Sequence, residues 1–304
     1  KVGRFLGWFY GKNHEDGKAK IVIGKDTRRS SYMFEYALAA GLTASGADAY
    51  LLHVTTTPSV SYVVRTEDFD CGLMISASHN PYYDNGIKAI NSAGHKMEAE
   101  VEEKIEAYID GKIGEVPLAT KENIGRTVDY AAGRNRYIGH LIALATRSFK
   151  DMKVGLDCAN GSSSSIAKSV FDALGAKTYV INNEPNGVNI NTNCGSTHIE
   201  VLQAFVKEKK LDVGFAYDGD ADRCIAVDEN GNVVDGDRIM YVCGKYLMEQ
   251  GRLADHTIVV FTSDHGEMGQ SHGLVFKSQL LEEATRTPLI IAGPGIQKGI
   301  VDSK

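Results

Sequence analysis

The sequence predicts an α/β protein of two consecutive domains with mixed, mostly parallel sheets, followed by a short β/α tail. Two observations carry this. Short β-rich runs alternate with segments of helical period, the mark of β-α-β units. The chain also has 304 residues, enough for two domains of ordinary size, each with its own core.

Lys20 to Gly24 (KIVIG) reads as the first strand and Ala47 to His53 (ADAYLLH) as the second. Between them a helical pattern places Met33, Ala37, Ala40 and Ala44 on one face. Cys71 to Ser76 is a third strand. The turn Tyr82-Tyr83-Asp84-Asn85-Gly86 leads into a further strand carrying Lys88. Met97, Val101, Ile105 and Ile109 recur opposite a face of glutamate and lysine, as in an amphipathic surface helix. Residues 111–136 are mixed in charge and weakly periodic, so the domain connection is expected there, and the first domain over 1–135. In a second domain, 136–255, Lys153 to Asp157 (KVGLD) reads as a strand. A helix with Ile166, Val170, Phe171 and Leu174 follows it. Ala176 to Ile181 and Asp212 to Tyr217 (DVGFAY) are further strands, and Ile239, Val242, Tyr246 and Leu247 mark a helix after the Asp235-Gly236-Asp237 turn.

A composition of 43% hydrophobic and 24% charged residues is that of a soluble globular protein. A net charge of −6 argues against nucleic acid or an anionic membrane as partner, while leaving room for a phosphorylated ligand on local cations. No apolar run approaches the roughly 18 residues of a membrane helix. Cys71, Cys158, Cys194, Cys224 and Cys243 form no C-x-x-C pair, as expected of reduced thiols in a cytoplasmic protein.

Two segments carry the chemistry. Ser76-Ala77-Ser78-His79-Asn80-Pro81 follows the apolar Leu73-Met74-Ile75, and a loop at the carboxyl end of a parallel strand is where α/β proteins place ligands. It offers a hydroxyl (Ser78) beside a histidine (His79), with Lys88 following as a candidate proton shuttle. Asp218-Gly219-Asp220-Ala221-Asp222-Arg223 ends another apolar strand. Its three alternating carboxylates would repel one another unless a divalent cation joined them, and Arg223 can hold phosphate. A phosphorylated serine needs such a cation, and hard cations of the magnesium type take carboxylate oxygens. An EF-hand reading places Glu229 at its twelfth position but fails at the sixth, where Arg223 stands in place of glycine. An aspartyl nucleophile at Asp218 leaves the serine loop without a role.

These segments resemble the α-D-phosphohexomutases. MISASHNPYYDNGIK, together with Pro185-Asn186-Gly187-Val188-Asn189-Ile190-Asn191 and Cys194-Gly195-Ser196-Thr197-His198, is similar to their bacterial phosphoglucosamine mutase branch. GKDTRRSS at 24–31, containing Arg28, fits the same family, and the resemblance runs from about Lys1 to Asp255. It implies interconversion of glucosamine 6-phosphate and glucosamine 1-phosphate through a phosphoserine (Ser78) and a bisphosphorylated sugar. Mg²⁺ would lie on Ser78, Asp218, Asp220 and Asp222, with Arg28, His79, Lys88 and Arg223 around the transferring group. A homodimer is the candidate assembly. Phosphomannomutase or phosphoglucomutase activity is the alternative within the family, and a non-catalytic Mg²⁺-binding remnant the alternative outside it. The family has four domains and this chain supplies about two, without the loops G-E-x-S-G-H and R-x-S-G-T-E-P that hold the sugar and its second phosphate. Turnover is therefore expected to be impaired.

From about Thr257 the sequence resembles the sulfatases instead, through Thr262-Ser263-Asp264-His265-Gly266 and His272-Gly273-Leu274 followed by Lys277. That resemblance implies Asp264 and His265 as calcium ligands and His272 and Lys277 facing sulfate, while Asp264-His265-Gly266 read from its residues alone is a capped turn after a strand, the reading favoured in this chain. None of the five cysteines lies in a C-x-P-S-R motif, so sulfatase activity is not expected. The two resemblances meet near Thr257 to Val260, as in a chimera of two unrelated sequences.

Overall fold

The computed structural model describes residues 1–251, 259–262 and 289–292. Residues 1–236 form one compact unit and 237–304 another. The first unit holds two five-stranded sheets.

The first sheet comprises β1 (Lys20–Lys25), β2 (Asp48–Val54), β3 (Cys71–Ile75), β4 (Ile87–Asn91) and β5 (Thr127–Asp129), in the order β4-β3-β1-β2-β5. Only the β3–β4 pair is antiparallel. Helices α1 (Val2–Gly11), α2 (Arg29–Ala44), α3 (Thr57–Thr66), α4 (Ala99–Ile109) and α5 (Ala131–Leu144) belong to the same half. Alternate residues of the central strands feed opposite layers. Ile21, Ile23, Leu73 and Ile75 pack with Phe5, Leu6, Leu38, Leu42 and Ile105 of α1, α2 and α4. Val22 and Met74 pack with Val60, Val63 and Val64 of α3 on the other face. Each such side chain contributes about 1.5–3 kcal/mol on burial. Two glycines let α3 come that close: a Cβ on Gly24 or Gly72 would lie 2.5 Å from Val60 Cγ2 or Val64 Cγ2.

The second sheet comprises β6 (Lys153–Asp157), β7 (Lys177–Ile181), β8 (Val213–Tyr217), β9 (Cys224–Asp228) and β10 (Val233–Val234), in the order β10-β9-β8-β6-β7. Its β6 pairs parallel with β7 and β8, and the rest is antiparallel. Helix α6 (Ala167–Ala173) lies on one face and α7 (Ile199–Lys209), through Leu202 and Val206, on the other. Among the described residues of 237–304 are α8 (Gly236–Glu249, beginning in the first unit) and an antiparallel pair, β11 (Val259–Thr262) with β12 (Leu289–Ala292). No helix among the described residues is long and apolar enough to cross a membrane.

The expected strands form where the sequence places them. The face assigned to α2 is corrected. Met33 is 61% exposed, and the buried stripe is Ser31, Glu35, Leu38, Ala39 and Leu42. A buried ion pair is the reason: Glu35 accepts from Lys25 of β1, both essentially without solvent contact. Helices α1, α3, α5 and α7 have no counterpart among the expected elements. Helix α5 begins inside the segment expected to be connection and packs on α3 by stacking His140 on Tyr62, centroids 4.5 Å apart.

Candidate functional site

The carboxyl-terminal edges of the two sheets abut. After β1, Thr27 Oγ1 donates to Asn160 O beyond β6 at 2.6 Å. After β2, the Thr57 amide donates to Asp220 O beyond β8 at 3.0 Å. After β3 comes the serine loop. Edges of this kind gather loops from several parallel strands around a ligand.

Ser78 has φ +52°, a left-handed conformation that non-glycine residues adopt only when their surroundings impose it. Its amide donates to Ser76 Oγ at 2.9 Å, and its own Oγ donates to Asp218 Oδ2 at 2.5 Å. Arg28, without solvent exposure, braces the loop from within. Its Nη1 donates to Asp26 and, at 3.4 Å, to Ser76 Oγ; its Nη2 donates to Ser78 O at 3.2 Å and Asn80 O at 2.6 Å; its Nε reaches Pro81 O at 3.5 Å. A guanidinium has five N–H donors, and all of them meet acceptors of the protein here.

Asp218 and Asp220 are buried and Asp222 is exposed, and the three offer ligand atoms within 4.8 Å of one another. Lys88 sits on β4 in register with Met74 and donates to Asp220 Oδ2 at 2.6 Å and Asp222 Oδ2 at 2.9 Å. Burial pulls its pKa down, but the hydrogen bonds and charges of the two aspartates outweigh that, so the net shift is upward. Burial, aided by the charges of Asp220 and Asp222, raises the pKa of Asp218 against the bonds it accepts from Ser78 and the Arg223 amide. Arg223 donates to His79 Nδ1 at 3.0 Å, which leaves Nε2 as the protonated ring nitrogen.

The carboxylates fit a hard divalent cation. Asp220 Oδ1 is buried and has no hydrogen-bond partner among the described residues, a costly state for a carboxylate oxygen that ligation would relieve. The structure thus brings together Ser78, Lys88, Asp218, Asp220 and Asp222, with the His79–Arg223 pair at their side and Arg28 behind the loop.

Two contributors lie outside the expected set. Thr57 donates its hydroxyl to Asp220 Oδ2. Asn191 donates to the serine-loop carbonyls. Thr57 had one local signal, the Thr56-Thr57-Pro58 start of α3, where Thr56 accepts from the Ser59 amide. Asp264, His265, His272 and Lys277 lie outside the described residues.

Phosphoglucomutase/phosphomannomutase alpha/beta/alpha domain I matches residues 1–113, and domain II of the same family matches 135–231. A curated phosphoglucosamine mutase of Lachnoclostridium phytofermentans is 73% identical over 259 residues, 85% of this chain and 57% of that protein. This chain belongs to the phosphohexomutases. A second phosphoglucosamine mutase, from Lachnospira eligens, is 71% identical over the same length, and one from Streptococcus pneumoniae 49%. The chain thus spans a little over half the length of these phosphohexomutase relatives. In fold it is similar to a phosphoglucomutase/phosphomannomutase family protein of Burkholderia thailandensis (TM-score 0.65, 24% identity, 82% of this chain and 55% of that one). A putative phosphomannomutase of Thermus thermophilus gives a TM-score of 0.67 at 24% identity, over 82% of this chain and 57% of that one. The sulfatase family matches residues 245–304, so the second resemblance begins within α8, twelve residues before Thr257.

Proposed function

We propose that residues 1–255 are the phosphoryl-transfer half of a phosphoglucosamine mutase, with domains over 1–135 and 136–255 and a sulfatase-like tail over 256–304. In this reading Ser78 carries a phosphoryl group and passes it to glucosamine 6-phosphate. The bisphosphorylated sugar reorients, returns its other phosphoryl group to Ser78 and leaves as glucosamine 1-phosphate. The observation that carries the reading is the hydroxyl of Ser78 at 2.5 Å from Asp218, in front of three converging carboxylates.

We assign Mg²⁺ to Asp218, Asp220, Asp222 and the Ser78 oxygen, where it would offset charge on the transferring group. The chain's own residues supply the remainder. The left-handed backbone aims Ser78 Oγ across the junction of the two sheets. His79, kept in its Nε2–H form by Arg223, can donate to a phosphoryl oxygen. Lys88 is held charged between Asp220 and Asp222, and can move a proton to or from a sugar hydroxyl once released from them. Arg28 acts through the loop backbone, since its donors are all engaged. The cytoplasm, where sugar phosphates are made, is the compartment this activity requires.

The test is phosphorylation of the intact chain by a hexose 1,6-bisphosphate with Mg²⁺, read by mass spectrometry. Ser78 is expected to gain one phosphoryl group. Ser78→Ala should abolish the label, while Ser76→Ala should leave it detectable. A label that persists unchanged in Ser78→Ala would remove Ser78 as carrier.

A further inference from the structure

Asn191 lies beyond β7, 113 residues from Ser78 in sequence, and is 9% exposed. Its Nδ2 donates to two carbonyls of the serine loop at once, Ser78 O at 2.8 Å and Asn80 O at 3.1 Å. These are the two carbonyls that Arg28 Nη2 also holds. A carbonyl oxygen has two lone pairs, so each is filled by one guanidinium and one carboxamide. The two donors come from opposite sides. Arg28 belongs to the same sheet as the serine loop, and Asn191 belongs to the other.

The carboxamide is itself fixed. Asn191 has φ +58°, tolerated by asparagine, and its amide donates to Ala159 O at 2.9 Å. The backbone of the aspartate loop closes on it: a Cβ on Gly219 would stand 2.5 Å from Ser78 O and 2.9 Å from Asn191 Nδ2. The amide is thereby wedged between the loop that carries the hydroxyl and the loop that carries the carboxylates.

We propose that Asn191 is a positioning residue for phosphoryl transfer, whose carboxamide holds Ser78 in its left-handed conformation from the second sheet and ties the aim of Oγ to the junction of the two halves. The inference rests on the reading of Ser78 as phosphoryl carrier. It adds a residue outside both chemical motifs, and a route by which any change at the junction reaches the nucleophile.

Asn191→Gly removes the carboxamide while allowing the same backbone conformation. Asn193→Gly is the control: it has φ +51°, also lies beyond β7, and makes no described bond to the serine loop. Two measurements on the full chain are needed. One is hydrogen exchange across residues 76–82, and the other is the rate of Ser78 labelling by a hexose 1,6-bisphosphate with Mg²⁺. Asn191→Gly is expected to speed exchange in that segment and leave β6 and β8 protected. It should slow labelling about tenfold or more at saturating bisphosphate, with little change in the half-saturating concentration. Asn193→Gly should move neither. Labelling of Asn191→Gly at the wild-type rate overturns the proposal, and if exchange has nonetheless risen the contact is only structural. Wild-type protein that takes no label at Ser78 removes the phosphoserine reading itself, and this proposal with it.

Discussion

The serine loop and the aspartate loop face each other across the same junction, yet their polar groups are met very differently. In the serine loop the carbonyls of Ser78 and Asn80 each receive two donors, and the Ser78 amide has Ser76. In the aspartate loop, among the described residues, Asp220 and Asp222 share one ammonium, that of Lys88, Asp218 accepts only from the Ser78 hydroxyl and the Arg223 amide, and Asp220 Oδ1 is buried with no partner. The first loop has its Ser78 and Asn80 carbonyls and its Ser78 amide held by the protein itself. The second concentrates negative charge that a cation would complete. Phosphoryl transfer has this division of labour: a fixed nucleophile, and a charge environment that a metal and the transferring group complete.

The most damaging way to test that contrast is at Arg28. In Arg28→Met the Asp26 carboxylate stays buried, keeping the Ser31 hydroxyl at 2.7 Å but losing its guanidinium. Removing one partner of a buried pair costs about 3–5 kcal/mol. The expected result is a denaturation midpoint lowered accordingly, with part of the loss recovered when Asp26→Asn is added. A midpoint close to wild type would mean that the serine loop does not depend on this brace.

The aspartate loop is tested next, by metal. Mg²⁺ at a hundredfold excess over its dissociation constant should stabilise the protein by about 2.7 kcal/mol. Asp220→Asn should abolish most of that gain, because it converts the most deeply buried ligand into a neutral amide. Equal stabilisation of variant and wild type would place the ion elsewhere and leave the unmatched charge without an explanation.

Much of this was legible in the sequence, for physical reasons that differ from place to place. Strands such as β1 and β3 are buried on both faces, so they read as continuous apolar runs, and both site loops follow apolar strands directly. The α2 face departs from its apolar pattern because Glu35, held by Lys25, lies in the buried stripe while Tyr32, Met33 and Tyr36 are exposed. A buried ion pair reverses the usual meaning of polarity along a helix. Helix α3 was hidden by Val60, Val63 and Val64, β-branched residues that also suit a strand. Within the site, the residues with visible chemistry were found, and those chosen by topology were not. Thr57 reaches Asp220 because it follows β2, which pairs with β1 in the sheet that meets the aspartate loop. Nothing within a few residues of Thr57 in sequence encodes that meeting.

Thr57 also provides the smallest of these tests. Thr57→Val keeps the side-chain volume and the amide bond to Asp220 O at 3.0 Å, and removes only the hydroxyl that donates to Asp220 Oδ2. That oxygen still accepts from Lys88. The expected loss is therefore about 1.5 kcal/mol, the lower end for a hydrogen bond to a charged group, read in the same denaturation experiment as Arg28→Met. With Mg²⁺ bound the loss should shrink, because the cation then carries part of the charge that the hydroxyl was stabilising. A loss as large as that of Arg28→Met, and unaffected by Mg²⁺, would mean that the aspartate loop is braced as firmly as the serine loop, and the contrast between them would fail.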